Sequence, residues 1–553
     1  MPFYLYSAAW AISVFLLYRL SQRNRSKLPL PPGPRKLPLV GNLFDMPSTF
    51  EWETYMEWSK KYNSDIIHLN VVGTSIIVLS SAEAANDLLE KRSSLYSDRA
   101  RSPMVNELMG WTFALGFIKY GMNWQRGVMT NDLIICGSHR RSLVRCPHQI
   151  LRHNSQEHFR RSRRRLLHQA FNATASQEFR PKEILATHEL LRRILQEPGD
   201  VMDHLRHMAG EVIMSVAYGI DVLPSNDPYI ALAKEAVRSL SIASVPGRFL
   251  VDSLPILKYV PDWFPGAGFK QTAKEWNKLA RAMVDVPFAE AKRNIAAGNA
   301  PPSFTSNNLR NLELLKDSAE KEEKEQAVKD IAGNMYTAGA DTTVSALATF
   351  VLAMIANPDA QKKAQAEIDS VVGTNRLPDF DDESSLPYVS AVVKEVLRWR
   401  SVTPIAIPHF LPVEDEYRGY RLPAGSIVIP NAWAILHDEV MYPDPYRFNP
   451  DRFLLDGKPN PAVRSPDAAF GFGRRVCPGR YMAASSVWIS AVSILATFDI
   501  TKAVGDDGQV IEPSYEYFPA LVSMPLPFKC SIKPRSQCAV DLIQAVVNAE
   551  RSI

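Results

Sequence analysis

The sequence has few cysteines and almost no excess of either charge. Its five cysteines among 553 residues are too few and too scattered for a disulfide framework, so a reducing compartment is the simpler interpretation. The 63 basic and 59 acidic side chains leave a net charge of +4, too weak to argue for a nucleic-acid partner. With 46% apolar and 22% charged residues, the chain is not mainly disordered, collagenous or a polytopic membrane protein.

Long apolar runs are also scarce, but residues 3–18 form one without a charged side chain. As a helix this run would span about 24 Å, slightly short of a hydrocarbon core of about 30 Å, and Leu20 with a snorkelling Arg19 closes most of the gap. No positive residue precedes it and no small-residue cleavage site follows, so a removable signal peptide fits poorly. We predict a transmembrane anchor over residues 1–20; a buried core helix is the alternative.

Basic and proline-rich sequence follows the predicted anchor. Two arginines and a lysine lie within residues 21–27, and a positive flank is expected to stay in the cytosol. Prolines then dominate residues 28–34, where their fixed φ makes a semi-rigid spacer. We predict a linker over residues 21–35 and one folded domain over residues 36–553.

The predicted domain is mainly α-helical with small β-sheets. Apolar periodicity indicates helices, and short β-branched runs between turn residues indicate strands. The predicted helices cover residues 82–91, 331–356, 360–372, 385–400 and 478–497, and the predicted strands cover residues 66–69, 75–79, 417–420 and 426–429. Residues 300–308 are predicted to form a polar loop.

The strongest functional signal is the segment FGFGRRVCPG at residues 470–479. Its glycines allow a tight turn with close backbone approach. Cys477 precedes a helix expected to begin at Pro478, and the helix N-terminus with Arg474 and Arg475 is expected to lower the pKa of the thiol. Such a thiolate can attack a substrate or bind a soft or borderline metal; a buried structural cysteine is the alternative.

A second unusual segment, AGADTT at residues 338–343, lies inside the long predicted helix. Glycine there costs about 1 kcal/mol relative to alanine, and threonine and aspartate are also poor helix formers. Broken local rules inside a long helix indicate function. Thr342 can bond a carbonyl one turn back or hold a water, and Asp341 can pass protons; packing through small residues is the alternative.

The pattern Phe-x-x-Gly-x-Arg-x-Cys-x-Gly, made by Phe470, Gly473, Arg475, Cys477 and Gly479, resembles the heme-ligand loop of the cytochrome P450 family. The resemblance implies a cytochrome P450 fold with heme b, and makes all five residues cofactor-binding. The resemblance also makes Cys477 the metal ligand, as a thiolate on the heme iron. Thiolate ligation favours O–O cleavage. Arg475 would pair with a heme propionate.

Three further segments match the family's motifs. Residues 338–343 resemble the oxygen-activation helix, which assigns Asp341 and Thr342 to proton delivery to dioxygen as catalytic residues. Residues 395–398 and 448–453 resemble the Glu-x-x-Arg helix and the Pro-x-Arg-Phe stretch. The resemblance implies that Glu395, Arg398 and Arg452 form a buried structural salt-bridge network behind the heme. His409 matches a position that often contacts a propionate.

One motif of the family is interrupted. Residues 120–124 resemble the start of its Tyr-Gly-x-x-Trp-Arg-x-x-Arg-Arg helix, in which Trp and Arg bind a propionate, and the continuation appears only at residue 161. Removing residues 125–160 restores the pattern and makes Trp124 and Arg164 cofactor-binding. We hypothesise that residues 125–160 are an insertion, such as translated non-coding sequence. An mRNA that encodes all 36 residues would contradict the idea that the segment is translated non-coding sequence.

The overlapping stretch 139–168 is strongly basic, with nine arginines, five histidines and one acid. It lacks interleaved aromatic residues and a nucleic-acid motif. We interpret it as a solvated face or a contact surface for an acidic protein, and we predict no nucleic-acid partner.

The resemblance covers residues 28–535, and residues 106–111, 242–247 and 417–420 resemble fungal microsomal members that act in basidiomycete secondary metabolism. It implies a monooxygenase that hydroxylates an apolar small molecule, such as a terpenoid, polyketide or indole, with dioxygen. Electrons from NADPH would come through NADPH-cytochrome P450 reductase. The anchor would hold the protein in endoplasmic reticulum membrane lipid, with the catalytic body in the cytosol. The rivals are a heme-thiolate isomerase or dehydratase without external electrons, and a non-catalytic heme-binding protein.

Overall fold

A computed structural model describes residues 28–120, 163–245 and 247–550, with side chains described to residue 546. The predicted anchor, residues 21–27 of the linker, Trp124 and the predicted insertion lie outside the described residues.

The described chain is mainly helical, as predicted. Its α-helices are α1 (Glu51–Lys61), α2 (Ala82–Ala85), α3 (Ser93–Tyr96), α4 (Arg180–Gln196), α5 (Val201–Tyr218), α6 (Pro228–Ala243), α7 (Leu250–Ser253), α8 (Gly268–Ala296), α9 (Phe304–Leu312), α10 (Ser318–Ala356), α11 (Pro358–Val371), α12 (Pro387–Trp399), α13 (Ala432–Leu436), α14 (Arg480–Thr497) and α15 (Gln537–Glu550). Residues 163–171 are also helical. Short 3₁₀ or π turns occur at Leu43–Asp45, Asn86–Lys91, Pro103–Leu108, Leu115–Phe117, Ala175–Phe179, Pro255–Tyr259, Phe380–Ser385, Pro450–Phe453, Asp467–Phe470 and Gly473–Arg475.

Small sheets lie beside the helices. The strands are β1 (Ile66–Val71), β2 (Thr74–Leu79), β3 (His409–Leu411), β4 (Asp415–Tyr417), β5 (Tyr420–Leu422), β6 (Ser426–Pro430), β7 (Leu454–Leu455), β8 (Lys458–Pro459), β9 (Phe498–Val504), β10 (Val510–Ile511), β11 (Tyr517–Phe518), β12 (Met524–Pro525) and β13 (Cys530–Pro534). The largest described sheet has the order β1-β2-β6-β3, with β2 parallel to β6 and the other pairs antiparallel. The remaining sheets have two or three strands.

Helix α10 runs through the main hydrophobic core and packs against α5, α6, α8, α9 and α14. Among the described helices it is the one long and apolar enough to span a membrane, but 78% of its apolar window is buried inside the protein. It is therefore a core helix. The prediction of an anchor at residues 1–20 stays a prediction.

Three sequence-based boundaries were wrong. Residues 417–420 are not one strand, because Arg418 and Gly419 have φ values of 49° and 76° and form the turn of the β4–β5 hairpin. The predicted loop at 300–308 contains the start of α9, which a capping box between Ser303 and Ser306 begins. Helix α10 begins at Ser318 rather than near residue 331, because Asp317 caps its charged first turns.

Candidate functional site: a cysteine loop facing a core helix

The cysteine loop lies between a 3₁₀ turn at Gly473–Arg475 and the start of α14. The Cys477 N–H donates to the Phe470 carbonyl at 2.8 Å, which closes the loop. Gly473 has a φ of +59°, and a Cβ built there would lie 1.9 Å from the Leu89 carbonyl oxygen. Only glycine therefore lets the loop approach the Asn86–Lys91 turn this closely. Among the described residues, no atom beyond those of its chain neighbours lies within 4 Å of a Cβ built on Gly479, so this side of the loop is open.

The environment of the Cys477 thiol differs from the sequence prediction. Helix α14 begins at Arg480, with Gly479 as its N-cap, so Pro478 is not the first helical residue. Burial raises the pKa of the Cys477 thiol, and the Gly479 N–H and Arg480 partly oppose that rise. The expected lowering is therefore absent in the protein alone, because the effect of burial is the largest of these. Cys477 as a whole residue is half-buried.

Helix α10 presents an open face within the core. Ala338 is exposed, and Asn334 and Thr342, one turn before and one turn after it, are half-buried. Residues four apart share a helix face, so these three make an accessible stripe in a part of α10 that is mostly buried. The Thr342 hydroxyl donates to the Ala338 carbonyl at 2.6 Å, which realises the first of the two predicted roles for that group.

The alternative of packing through small residues holds at Gly339. A Cβ built on Gly339 would lie 2.8 Å from Cγ1 of Ile213, so glycine lets α5 lie directly against the backbone of α10. Asp341 is 8% exposed, and burial raises the pKa of its carboxyl group to about 6, although Arg206 and Lys234 act to lower it. This acid therefore titrates near neutral pH.

Several guanidinium groups surround Tyr120. The Cζ atoms of Arg164, Arg475 and Arg474 lie 4.0, 5.2 and 5.9 Å from the centre of its ring. Arg164 also donates to the Tyr120 carbonyl at 3.3 Å. The Arg475 guanidinium donates to three backbone carbonyls, those of Ser97, Leu115 and Ile118, at 2.7–3.0 Å. These contacts concentrate positive charge at one place.

Arg99 belongs to the same group, and the sequence did not reveal it. It is 4% exposed and donates to the carbonyls of Gly116, Ile407 and Pro408 at 2.7–3.0 Å. Burial and the nearby Arg475 charge lower the pKa of its guanidinium well below the usual value. No local sequence pattern distinguishes Arg99 from the exposed Arg101. Only the burial of Arg99 in the folded protein shows that it belongs to this group.

His409 lies beside this group, and its ring is neutral. Its Nδ1 is 2.6 Å from the Tyr96 carbonyl oxygen, which can only accept, so Nδ1 carries the hydrogen. Burial and the neighbouring Arg99 lower the pKa of the ring well below its usual value. A contact between Nε2 and a carboxylate would favour the protonated ring.

The three charged side chains predicted to act as a scaffold lie together. Arg398 binds the Glu395 carboxylate through two nitrogens, at 2.7 and 2.9 Å, and Arg452 Nε is 3.2 Å from the same group. The Asn449 N–H donates to it at 2.8 Å. Glu395 and Arg398 are fully buried, and further nitrogens of both arginines donate to backbone carbonyls. The network ties α12 to the Pro450–Phe453 turn.

Comparison with known proteins agrees with this geometry. Residues 138–531 match the family model described as Cytochrome P450. The chain belongs to the cytochrome P450 family. The resemblance seen in the cysteine loop is thus confirmed.

Relatives in this cytochrome P450 family extend over nearly the whole chain. Cytochrome P450 monooxygenase 98 of Postia placenta is 46% identical over 96% of this chain and 95% of its own length. Cytochrome P450 monooxygenase ple1 of Rhodocybe pseudopiperita is 44% identical over 97% of this chain and 95% of its own length. Tryptamine 4-monooxygenase of Psilocybe cyanescens is 40% identical over 94% of this chain and 96% of its own length. The chain is therefore an oxidoreductase of the cytochrome P450 monooxygenase type.

The described residues fit the heme that the family implies. The loop is open at Gly479, and the half-buried Cys477 would hold the heme iron through its sulfur. The exposed Ala338 gives space against a helix backbone. The guanidinium groups around Tyr120 suit carboxylates, the acidic groups of heme b.

Proposed function

We propose that this cytochrome P450 is a heme-thiolate monooxygenase that hydroxylates an apolar small molecule with one atom of dioxygen. The observation that carries the proposal is the combination of the Cys477 loop with the open Ala338 face of α10, which has a buried acid beside it. When bound, heme would supply the chemistry of dioxygen activation, and the Cys477 sulfur would hold its iron. Side chains of this protein would bind the cofactor and deliver protons.

The cofactor-binding residues divide into two groups in this proposal. Cys477 holds the iron, and Phe470, Gly473 and Gly479 shape the loop around the sulfur. The propionates meet the guanidinium groups of Arg475, Arg164, Arg474 and Arg99, whose shared positive charge supports this assignment. Trp124 and His409 are proposed as further propionate contacts.

Asp341 and Thr342 are the proposed proton donors. A hydroxyl that donates to a backbone carbonyl, as that of Thr342 does, keeps its oxygen available to accept a hydrogen bond from water. A carboxyl group whose pKa is about 6 can take up and release a proton near neutral pH. The two groups are adjacent in α10. Thr342 lies on its accessible stripe, and Asp341 is buried beside it.

The substrate is proposed to be a terpenoid, polyketide or indole of fungal secondary metabolism. One relative is named for an oxygenation of tryptamine, which supports including indoles. Fold and family membership do not fix a substrate, because specificity depends on the pocket residues. A spectral binding screen with compounds of all three classes, including tryptamine, tests this part of the proposal.

The cellular setting is also a proposal. Residues 1–20 are proposed to anchor the protein in the endoplasmic reticulum membrane, residues 21–35 to act as a linker, and residues 36–553 to form the cytosolic domain. NADPH-cytochrome P450 reductase is the proposed source of electrons. Carbonate extraction of microsomes tests the anchor, since the full chain should stay with the membrane and a chain lacking residues 1–27 should not.

We further infer that residues 125–160 interrupt one helix of the family. Tyr120 and Arg164 are 44 residues apart in the chain, yet they are in direct contact. Without the 36 intervening residues they would be eight apart, a spacing that one helix or turn can bridge. This contact supports the insertion hypothesis.

The thiolate assignment is tested with two cysteine variants. Cys477→Ala is expected to abolish the Soret band that marks thiolate ligation in the reduced carbon-monoxide complex. Cys530→Ala is the matched control, because Cys530 lies in β13 and is half-buried as well. Retention of the band in Cys477→Ala would refute the assignment.

The proton-delivery assignment is tested with two threonine variants of α10. Thr342→Ala is expected to lower the amount of product formed per NADPH, measured with the best ligand from the spectral screen. Thr337→Ala is the control, because Thr337 also donates to a carbonyl one turn back, at 2.8 Å. Equal coupling in the two variants would count against the role of Thr342, and turnover without NADPH would favour an isomerase or dehydratase.

A further inference from the structure

Arg206 reaches the buried acid of α10 from a neighbouring helix. Its Nε lies 3.9 Å from Oδ1 of Asp341, and the two side chains are 18% and 11% exposed. That distance is about 1 Å longer than a hydrogen bond, so a small rotation of the carboxylate would close it. No sequence motif singles out this arginine.

The Arg206 Nε–H is buried and has no hydrogen-bond partner among the described residues. The other nitrogens of the guanidinium are engaged, Nη1 with Asp203 at 3.2 Å and Nη2 with the sulfur of Met524 at 3.5 Å. These two contacts hold the group in place with its remaining N–H near Asp341. A buried donor without an acceptor is costly, so an approaching carboxylate would be stabilised there.

Helix packing determines this approach. Gly339 lets Ile213 of α5 lie against the backbone of α10, since any Cβ at residue 339 would collide with it. Arg206 lies seven residues before Ile213, which places it about two turns away on the same face of α5. The missing side chain at residue 339 thus lets α5, which carries Arg206, pack closely against α10, which carries Asp341.

We propose that Arg206 is a positioning residue that holds the Asp341 carboxylate on the α5 side of α10 and balances its negative charge. The inference rests on the proposed role of Asp341 in proton delivery. Lys234 on α6 is the other cation that acts on Asp341, and its effect is smaller than that of Arg206. In this proposal the effect of Arg206 passes through the acid that it faces.

The direct test is an infrared titration of the purified holoenzyme. The carboxyl band of Asp341 is isolated by subtracting the spectrum of Asp341→Asn at each pH. The wild-type midpoint is expected near 6. Arg206→Gln is expected to raise it by about one pH unit or more, because loss of a neighbouring positive charge favours the protonated acid.

Two further variants separate charge from structure. Arg206→Lys keeps the charge and is expected to leave the midpoint within about half a unit of wild type, well inside the shift that a lost charge produces. Asp203→Asn removes a charge that is 62% exposed but keeps an oxygen that can accept from Arg206 Nη1, so it is expected to leave the midpoint unchanged. A wild-type midpoint in Arg206→Gln, or equal shifts in the glutamine and lysine variants, would overturn the proposal.

A second measurement separates this inference from the proposed function. NADPH-driven oxygen consumption is followed against pH in the reductase-reconstituted enzyme without added substrate. An altered profile in Asp341→Asn together with a wild-type profile in Arg206→Gln would refute the role of Arg206 alone. An unaltered profile in Asp341→Asn would refute the relay, whereas the infrared shift would still report on the Arg206–Asp341 contact.

Discussion

Replacing Glu395 by glutamine tests how much the buried network contributes to stability. Oε1 of the carboxylate accepts from Arg398, Arg452 and the Asn449 N–H, while Oε2 accepts from Arg398 Nε at 2.7 Å. A glutamine whose oxygen replaces Oε1 would place its NH₂ group against the Arg398 Nε–H, so two donors would meet. The variant also leaves two guanidinium groups without a counter-charge in the interior.

The expected cost follows from this burial. Breaking a buried ion pair by removing one partner costs about 3–5 kcal/mol. At about 2.1 cal/mol/K per residue, the unfolding entropy of this chain is about 1.2 kcal/mol/K. Glu395→Gln should therefore lower the apparent Tm of the holoenzyme by about 2.5–4 °C at a fixed scan rate.

The matched control is Glu439→Gln. Glu439 pairs with Lys60 at 2.8 Å, but the two side chains are 63% and 62% exposed. Exposed pairs contribute about 0–1 kcal/mol, so this variant should shift the Tm by less than about 1 °C. Equal shifts in the two variants would refute the argument that burial makes the network costly to break.

Three other changes test separate parts of the structure. Gly473→Ala should sharply lower the yield of heme-loaded protein, because its Cβ would meet the Leu89 carbonyl oxygen. The control Gly508→Ala, at a φ of +80° but with open space around it, should lower stability by only about 1–2 kcal/mol. Equal heme loading in the two variants would contradict this prediction. Deletion of residues 125–160 should increase heme loading per folded chain, measured by absorbance, and a loss of folding would show that the segment is required. Burial raises the pKa of Glu183 to about 7, so the native state binds a proton more tightly than the unfolded chain and stability falls as pH rises from about 4.5 to 7. Glu183→Gln should flatten that part of the Tm–pH curve, and a curve parallel to that of wild type would contradict it.

Local patterns predicted much of the fold because they reflect local physics. The β1–β2 hairpin follows from β-branched runs on either side of Gly73, and helix α14 from its apolar length. The predicted starts of helices were less accurate where a capping side chain determines the first helical residue. Asp317 and Ser303 begin helices by accepting backbone N–H groups, and such contacts are hard to weigh against the charged or polar sequence around them.

The candidate site was predicted unevenly. Glu395 and Arg398 are three residues apart on one helix, so their pairing follows from spacing, whereas Arg452 joins them only through the fold. Arg99 and Arg206 carry no motif, and their importance depends on what lies beside them. The thiol of Cys477 was expected to be acidic from its place in the chain, but desolvation outweighs the helix N-terminus in the folded protein.

By itself the sequence determined the cysteine loop, the acid and threonine of α10, and the family to which the chain belongs, because these depend on residue types at short fixed spacings. Only the tertiary structure decided which charges are buried and which groups face each other. Burial and proximity arise from contacts between residues far apart in the chain, such as Gly339 with Ile213 and Arg164 with Tyr120. Burial raises the pKa of Asp341, and contacts across the fold gather the arginines at one place.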